Sequence, residues 1–393
     1  MIIKGVSAKS ILDSRKGPTI EVSIRTNVGN FSASAPNGKS TGKREAKPYK
    51  KSLEEDIQAL KDSGDYFSED VLDEFDDLKL AEDVLEGHVG ANSLFAFESA
   101  CLKAMAKEKK KEVWQIINPK AKKFPRLVGN CIGGGKHSSS DKKPDFQEFL
   151  LIPNSKSPLV SQNTNRAAKA NAQVILKNII KFKGEKNDEG AWMVGLEDKK
   201  VLEVLKDLKD NAYDEKKIYL DQGLDVAASS FRKRQNYMYM NPMIKRDVGD
   251  QVGYLSNLIK NFNLLYIEDP FHEEDFEGFA QLLKKFPDRL IVGDDLTVTS
   301  IKGLREAIKH KSINAIIIKP NQCGSLLEVK EVCALAKSEG IKTVFSHRSG
   351  ETKEVILADL AFGFGADFFK CGIEGDIRED KINRLIEIEK GLK

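Results

Sequence analysis

Six short apolar runs in the second half of the chain each stop on a side chain able to hold charge or a proton: Asp225 in IYLDQGLD, Glu268 in LLYIED, Asp294 in LIVGDD, Lys319 in AIIIK, His347 in TVFSH and Lys370 in DFFK. Three carboxylates, two amines and an imidazole are the groups needed to hold a hard cation and to move a proton. Each run is rich in Ile, Val or Phe and reads as a strand buried on both faces, while the stretches between carry helical patterns with polar faces. Strands and helices alternating at roughly 25-residue spacing predict a parallel sheet, and with this many units the economical closure is a (β/α) barrel. In such a barrel the C-terminal strand ends share one mouth, so the six side chains converge there. Like charges about 4 Å apart repel by roughly 4 kcal/mol at an effective dielectric near 20, so three carboxylates at one mouth call for a cation.

The elements that must position this cluster are unevenly distributed. At 393 residues the chain exceeds the size at which one core stops growing, which predicts two domains. Near the start, Ile20, Val22 and Ile24 alternate with polar residues, NVGN supplies turn chemistry, and Phe31, Ala33 and Ala35 resume the alternation as in a hairpin. A loop, PNGKSTGKRE, comes next, then helices: Ser52 with Glu55 forms a capping-box pattern, and GANSLFAFESACLKAMAKEKKKEVW reads as one long helix. These elements predict an α+β domain over residues 1–123 and a barrel over 124–393. Leu127 to Cys131 opens the barrel half, and an amphipathic helix carrying Ile382, Leu385 and Ile386 closes it. Between residues 154 and 187 the pattern is polar and marks no clear strand. GKST at residues 38–41 imitates the end of a phosphate-binding P-loop, but Ala33 stands where the earlier glycine is required and Pro36 breaks the loop.

Composition excludes several classes of function. With 63 basic against 60 acidic residues the net charge is +3, which argues against nucleic acid or an anionic membrane as partner. The KEKKKE run at residues 107–112 mixes signs at a helix end and reads as a solvated face. No stretch has the apolar length of a bilayer span, and MIIKGVSAKS lacks the apolar core of a secretion signal, so a cytoplasmic protein is expected. Cys101, Cys131, Cys323, Cys333 and Cys371 form no CxxC pair, which suggests reduced buried thiols rather than a zinc site or disulfide framework.

In chain order the motifs are DSRKGPTIEV, PNGKSTGKREA, GGGKH, PDFQEFLLIP, NDEGA, GLDVAASSF, YIEDPF, GDDLTVT, IIIKPNQCGSL, SHRSGET and FKCG. Together they resemble the enolase family, whose members interconvert 2-phosphoglycerate and phosphoenolpyruvate, and the resemblance runs from about Ser10 to the C-terminus. It implies an enolase-type barrel behind a smaller N-terminal α+β domain. It also implies two Mg²⁺ ions per site, the second arriving with substrate, a phosphorylated acid as ligand, and a homo-oligomer, dimer or larger.

Site residues carry over by motif. Asp225, Glu268 and Asp294 match the ligands of the tighter Mg²⁺, with Asp269 and Asp295 as neighbours suited to capping a loop. Lys319 matches the base that takes the proton α to the carboxylate; nearby Mg²⁺ and Lys370 would disfavour its charged form and lower its pKa. Glu189 resembles the acid that protonates the departing hydroxyl and Glu148 its partner, and two adjacent carboxyls are expected to raise one pKa. His137 is implied on a mobile loop, Gln147 near substrate, Arg348 and Ser349 on phosphate with His347 and Lys370 beside them, and Ser40 on the second Mg²⁺.

The chain departs from the common pattern at Lys39, where a small residue is usual, in HSSSDKKPDFQE, and after Glu189, where it reads GAWMVGLED. Two other readings compete with the main one: a superfamily enzyme abstracting an α proton from a different acid, and an enolase-like protein that has lost activity and binds or regulates. SHRSGET and the GKSTG loop, as phosphate and second-metal features, argue against the first, and the intact catalytic positions against the second.

Overall fold

A computed structural model of the chain describes residues 1–39, 42–67, 71–216 and 219–392. The strands β1 (Ile3–Leu12), β2 (Pro18–Thr26) and β3 (Gly29–Ser34) form an antiparallel sheet in the order β1-β2-β3. Val22 stands opposite Ala33 and Ile24 opposite Phe31, the register the alternation predicts. Four helices follow: α1 (Leu53–Asp62), α2 (Leu78–Leu85), α3 (Ala91–Lys109) and α4 (Val113–Ile117). Ser52 caps α1 by accepting from the Glu55 N–H. The single long helix expected from residue 90 onward is instead two, because Lys110 turns left-handed at φ 52 and ends α3.

The barrel elements continue with β4 (Arg126–Gly133), β5 (Glu148–Pro153), α5 (Pro158–Ile179), β6 (Trp192–Met193), α6 (Asp198–Lys216) and β7 (Leu220–Asp225). A small antiparallel sheet of β8 (Arg232–Lys233), β9 (Asn236–Met240) and β10 (Met243–Arg246) interrupts before α7 (Val248–Phe262), β11 (Tyr266–Glu268), α8 (Phe276–Lys285) and β12 (Leu290–Gly293). The remainder is α9 (Ile301–His310), β13 (Ala315–Ile318), α10 (Leu326–Ser338), β14 (Lys342–Ser346), α11 (Ile356–Gly363), β15 (Phe368–Lys370) and α12 (Asp376–Gly391). The polar stretch after residue 154 holds the helix α5. Side chains of Ser157, Asp247, Asp275, Ser300 and Ser325 cap their helices by accepting a first-turn N–H, each worth about 1 kcal/mol.

The strands run β15-β14-β13-β12-β11-β7-β5-β4, and β15 pairs with β4 to close the barrel. The sheet is not wholly parallel, as the uniform strand–helix rhythm had suggested: β5 is antiparallel to both β4 and β7. A strand entered from the opposite direction presents its first residue, not its last, at the mouth. Glu148 therefore stands opposite Asp225 although it begins its strand.

Val128, Leu150, Ile152, Tyr266, Val292, Ala315, Ile317, Val344 and Phe368 fill the barrel interior as a separate apolar cluster. Because side chains alternate along a strand, the residue two beyond each shares its face. Tyr266 thus predicts Glu268 inward, Val292 Asp294, Ile317 Lys319 and Phe368 Lys370. The intervening Ile267, Ile318 and Phe369 pack outward in the larger core. Among the described residues, no helix is long and apolar enough to cross a membrane.

Candidate active site

The strand ends open on a cavity lined by Gly38, Lys39, His137, Gln147, Glu148, Glu189, Asp225, Asp269, Asp294, Asp295, Lys319, His347, Arg348, Ser349 and Lys370. A wider hollow of about 610 Å³, lined by Lys109, Lys330 and Phe364 among others, lies elsewhere and includes no member of the two groups of convergent metal-capable side chains found among the described residues. Size is the poorer guide here, and the chemistry belongs to the barrel mouth.

At the centre the Lys370 ammonium sits in a cage of carboxylates. It donates to Asp225 Oδ2 at 3.0 Å and to the Glu268 oxygens at 2.9 and 2.8 Å, with Glu148 Oε2 3.0 Å away. Glu268 also accepts from the Tyr266 hydroxyl at 2.6 Å, and Gln147 Nε2 reaches Asp225 Oδ2 at 3.4 Å. Burial first, then the Asp225 charge, push Glu268 up to about 8, and burial with the Glu148 and Asp294 charges raises Asp225 despite Lys370. The amine of Lys319 pairs with Asp294.

Carboxylate oxygens of Asp269, Asp294 and Asp295 also lie within 4.8 Å of one another. Asp269 is left-handed at φ 40, and its two oxygens accept the backbone N–H groups of Asp294 and Asp295 at 2.9 Å each. Those bonds offset the cost of the conformation, about 1–3 kcal/mol, and commit Asp269 to holding the loop. Burial and the Asp294 charge push Asp295 up to about 7. So many buried oxygens resisting ionisation, with more carboxylates than lysines among them, are a donor set that fits a hard divalent ion.

The protein's own side chains, taken without the Mg²⁺ on which the Lys319 expectation depends, set two groups differently from expectation. Burial acts to lower the Lys319 pKa, but the Asp294 charge, joined by Glu268 and Asp295, outweighs it and leaves the ammonium above its ordinary range. Neither Glu148 nor Glu189 is raised: burial opposes ionisation, yet Lys370 holds Glu148 down, and His137 and Arg378 hold Glu189 down. The charges favour a proton on His137 instead, whose Nδ1 lies 3.3 Å from Glu148 and 3.5 Å from Glu189. Burial lowers its pKa, but the two carboxylates prevail and push it up to about 9. His137 Nδ1, Glu148 Oε2 and Glu189 Oε2 have no aligned hydrogen-bond partner among the described residues.

On the other side of the mouth Arg348 is buried, donating to Glu45 at 2.7 Å and to Asn321 Oδ1 at 3.2 Å. Ser349 Oγ accepts the Lys39 N–H at 2.8 Å, and Lys39 Nζ donates to the Lys136 carbonyl at 3.0 Å, so Lys39 spans two loops. Gly38 has a steric reason: a Cβ there would stand 1.9 Å from the Arg348 guanidinium. Ser40 lies outside the described residues. His347 follows β14, and its Nδ1 accepts from Arg378 Nε at 2.9 Å. Sequence reasoning missed Glu45, Arg378 and Tyr266. Tyr266 was findable, standing two residues before Glu268 on one strand; Glu45 and Arg378 follow no strand and carry no positional signal.

Family models match the chain in two parts: the enolase N-terminal domain over residues 3–117 and the enolase C-terminal TIM barrel domain over residues 121–393. Curated relatives align over their full lengths. An enolase of Methanocorpusculum labreanum is 37% identical, covering 99% of both chains. One from Methanothermobacter thermautotrophicus is 36% identical over 100% of this chain and 97% of its own, and one from Archaeoglobus fulgidus is 35% identical over 99% and 98%.

Proposed function

The chain belongs to the enolase family and is a carbon–oxygen lyase, and from that premise we propose that it converts 2-phospho-D-glycerate reversibly to phosphoenolpyruvate and water, in glycolysis and gluconeogenesis. The observation that carries the reading is one cavity lined both by an amine on a carboxylate cluster, Lys319, and by an imidazole between two carboxylates, His137. Removing an α proton and expelling a hydroxide needs a base and an acid on one substrate.

Asp225, Glu268 and Asp294 would hold Mg²⁺, Ser40 would join a second ion that comes with substrate, and the bound ions would supply positive charge to the substrate carboxylate. Lys319 takes the α proton as a neutral amine: burial and the Arg348 charge favour that form, and Mg²⁺ held on Asp294 and Glu268 would offset the carboxylate charges that oppose it. On the opposite flank Glu189, with Glu148 beside it, passes the proton held by His137 to the leaving hydroxyl, which departs as water and leaves the imidazole neutral. Arg348 and Ser349 grip the phosphate, the guanidinium held for that task by Glu45 and Asn321. Gln147, His347 and Lys370 complete the substrate contacts.

We place the division between the N-terminal unit and the catalytic barrel at residues 123/124. The reading also carries with it a cytoplasmic homo-oligomer, dimer or larger, whose size sedimentation measures. The deciding assay is absorbance from phosphoenolpyruvate made from 2-phosphoglycerate with Mg²⁺, repeated with chelator and with Lys319→Ala. Activity abolished by both supports the proposal; an inactive wild-type chain, or an active Lys319→Ala, sinks it.

A further inference from the structure

Arg378, near the start of α12, is buried at 3% exposure, and all three of its guanidinium nitrogens are engaged. Its Nε donates to His347 Nδ1 at 2.9 Å, its Nη1 to the Asp188 carbonyl at 3.2 Å and its Nη2 to the Ser349 carbonyl at 3.0 Å, with the Glu189 carboxylate 3.7 Å away. A guanidinium only donates, so His347 Nδ1 must offer its lone pair and the ring proton must sit on Nε2. His347 itself lines the cavity. The same side chain ties the loop after β14, which carries Arg348 and Ser349, to the loop carrying Glu189.

The charges around His347 agree with a neutral ring. Burial, then Arg378, Lys370 and Lys319, all disfavour a second proton, and the Glu148 charge that opposes them does not prevail. Room for the aliphatic stem of Arg378 is left at Gly372, where φ is +69 and a Cβ would come 3.1 Å from Arg378 Cδ.

We propose that Arg378 is a positioning residue that fixes His347 as a neutral Nε2–H donor toward the substrate cavity and sets the spacing between the Ser349 and Glu189 loops. What His347 donates to, an anionic oxygen of the phosphorylated acid, rests on the enolase reading; the tautomer does not. A neutral imidazole so held gives a hydrogen bond without exchanging a proton with substrate, which leaves acid–base work to Lys319 and the His137 flank. Lysine in place of Arg378 keeps the charge but loses the planar fork that serves three acceptors at once.

The test uses the full chain labelled with ¹⁵N at its 5 histidines, His347 being identified by the signals that vanish in His347→Gln. In the unmutated protein His347 is expected to show a bare Nδ1 and a protonated Nε2, unchanged between pH about 6 and 8. Arg378→Lys and Arg378→Met should replace that pattern with mixed tautomers that protonate in this range, and should lower kcat about 10²-fold with a smaller change in KM. Arg384→Gln, which breaks the α12 bond to Asp359, controls for loosening of the helix and should leave the pattern intact. If Arg378→Met does not fold, Arg378→Lys carries the comparison. A wild-type His347 protonated on Nδ1 or charged at pH about 7 overturns the proposal, as does an Arg378→Lys protein with both the pattern and kcat retained. An unmutated chain that makes no phosphoenolpyruvate but shows the Arg378-dependent tautomer removes only the substrate reading.

Discussion

His137 and His347 line the same cavity, yet the groups around them are opposite in sign. His137 lies between Glu148 and Glu189, while His347 faces Arg378 with Lys370 and Lys319 nearby. Burial lowers the pKa of both rings, so it cannot separate them; the sign of the neighbours does, pushing His137 up to about 9 and His347 well below its ordinary value. The contrast extends to the flanks. On one side carboxylates flank an imidazole they favour as the cation, and on the other, cations flank an imidazole they keep neutral. The topology behind this difference is the reversed strand β5, which delivers Glu148 to the mouth from the opposite direction.

The largest effect is expected at the cationic flank and the carboxylates it touches. Chelation should abolish turnover, with Mg²⁺ restoring it, and Lys319→Ala should cost about 10⁴-fold in kcat with the fold retained on thermal melting. Next comes a direct challenge to the contrast between the histidines. His137→Asn should lower kcat/KM about 10²-fold and abolish the fall in activity as pH rises through about 9, because the active form carries the His137 proton. His347→Asn should leave that basic limb in place. A limb that persists in His137→Asn would mean that the stored proton is not the catalytic one.

The effect expected to be smallest on turnover is one of stability beneath the His137 flank. Asp198 Oδ1 accepts the N–H groups of Asp145 at 2.9 Å and Phe146 at 3.1 Å, holding the segment that leads into Gln147 and Glu148. Burial and the Asp145 charge push Asp198 up to about 8. The folded chain then binds a proton that the unfolded chain releases near pH 4, so stability should fall as pH rises from about 4 to about 8, by no more than about 1.4 kcal/mol per pH unit. Asp198→Asn keeps an acceptor and should flatten that slope in denaturant titrations. An unchanged slope would place the proton on another group.

The barrel was legible because Ile, Val and Phe runs buried on both faces repeat with helices between them, and period-two alternation aims Glu268, Asp294, Lys319 and Lys370 inward. His347 was grouped with these four, yet it breaks the rule: Ser346 shares the parity of Val344, and His347 meets Arg378 from α12. Lys110 ended a helix that composition alone would have continued, since nothing in KEKKKE distinguishes a left-handed lysine from a helical one.

The amino-acid order by itself determined which chemical groups stand at strand ends and which family they belong to, because side-chain alternation and motif spacing are local. Where the protons sit was decided only by the tertiary structure. A pKa depends on charges a few ångströms away in space, and the neighbours that matter, Glu148 to His137, Asp294 to Lys319 and Arg378 to His347, come from separate elements brought together by the closed barrel. The strand ends supplied the groups, and the packing of β5 and α12 against them decided what each one holds.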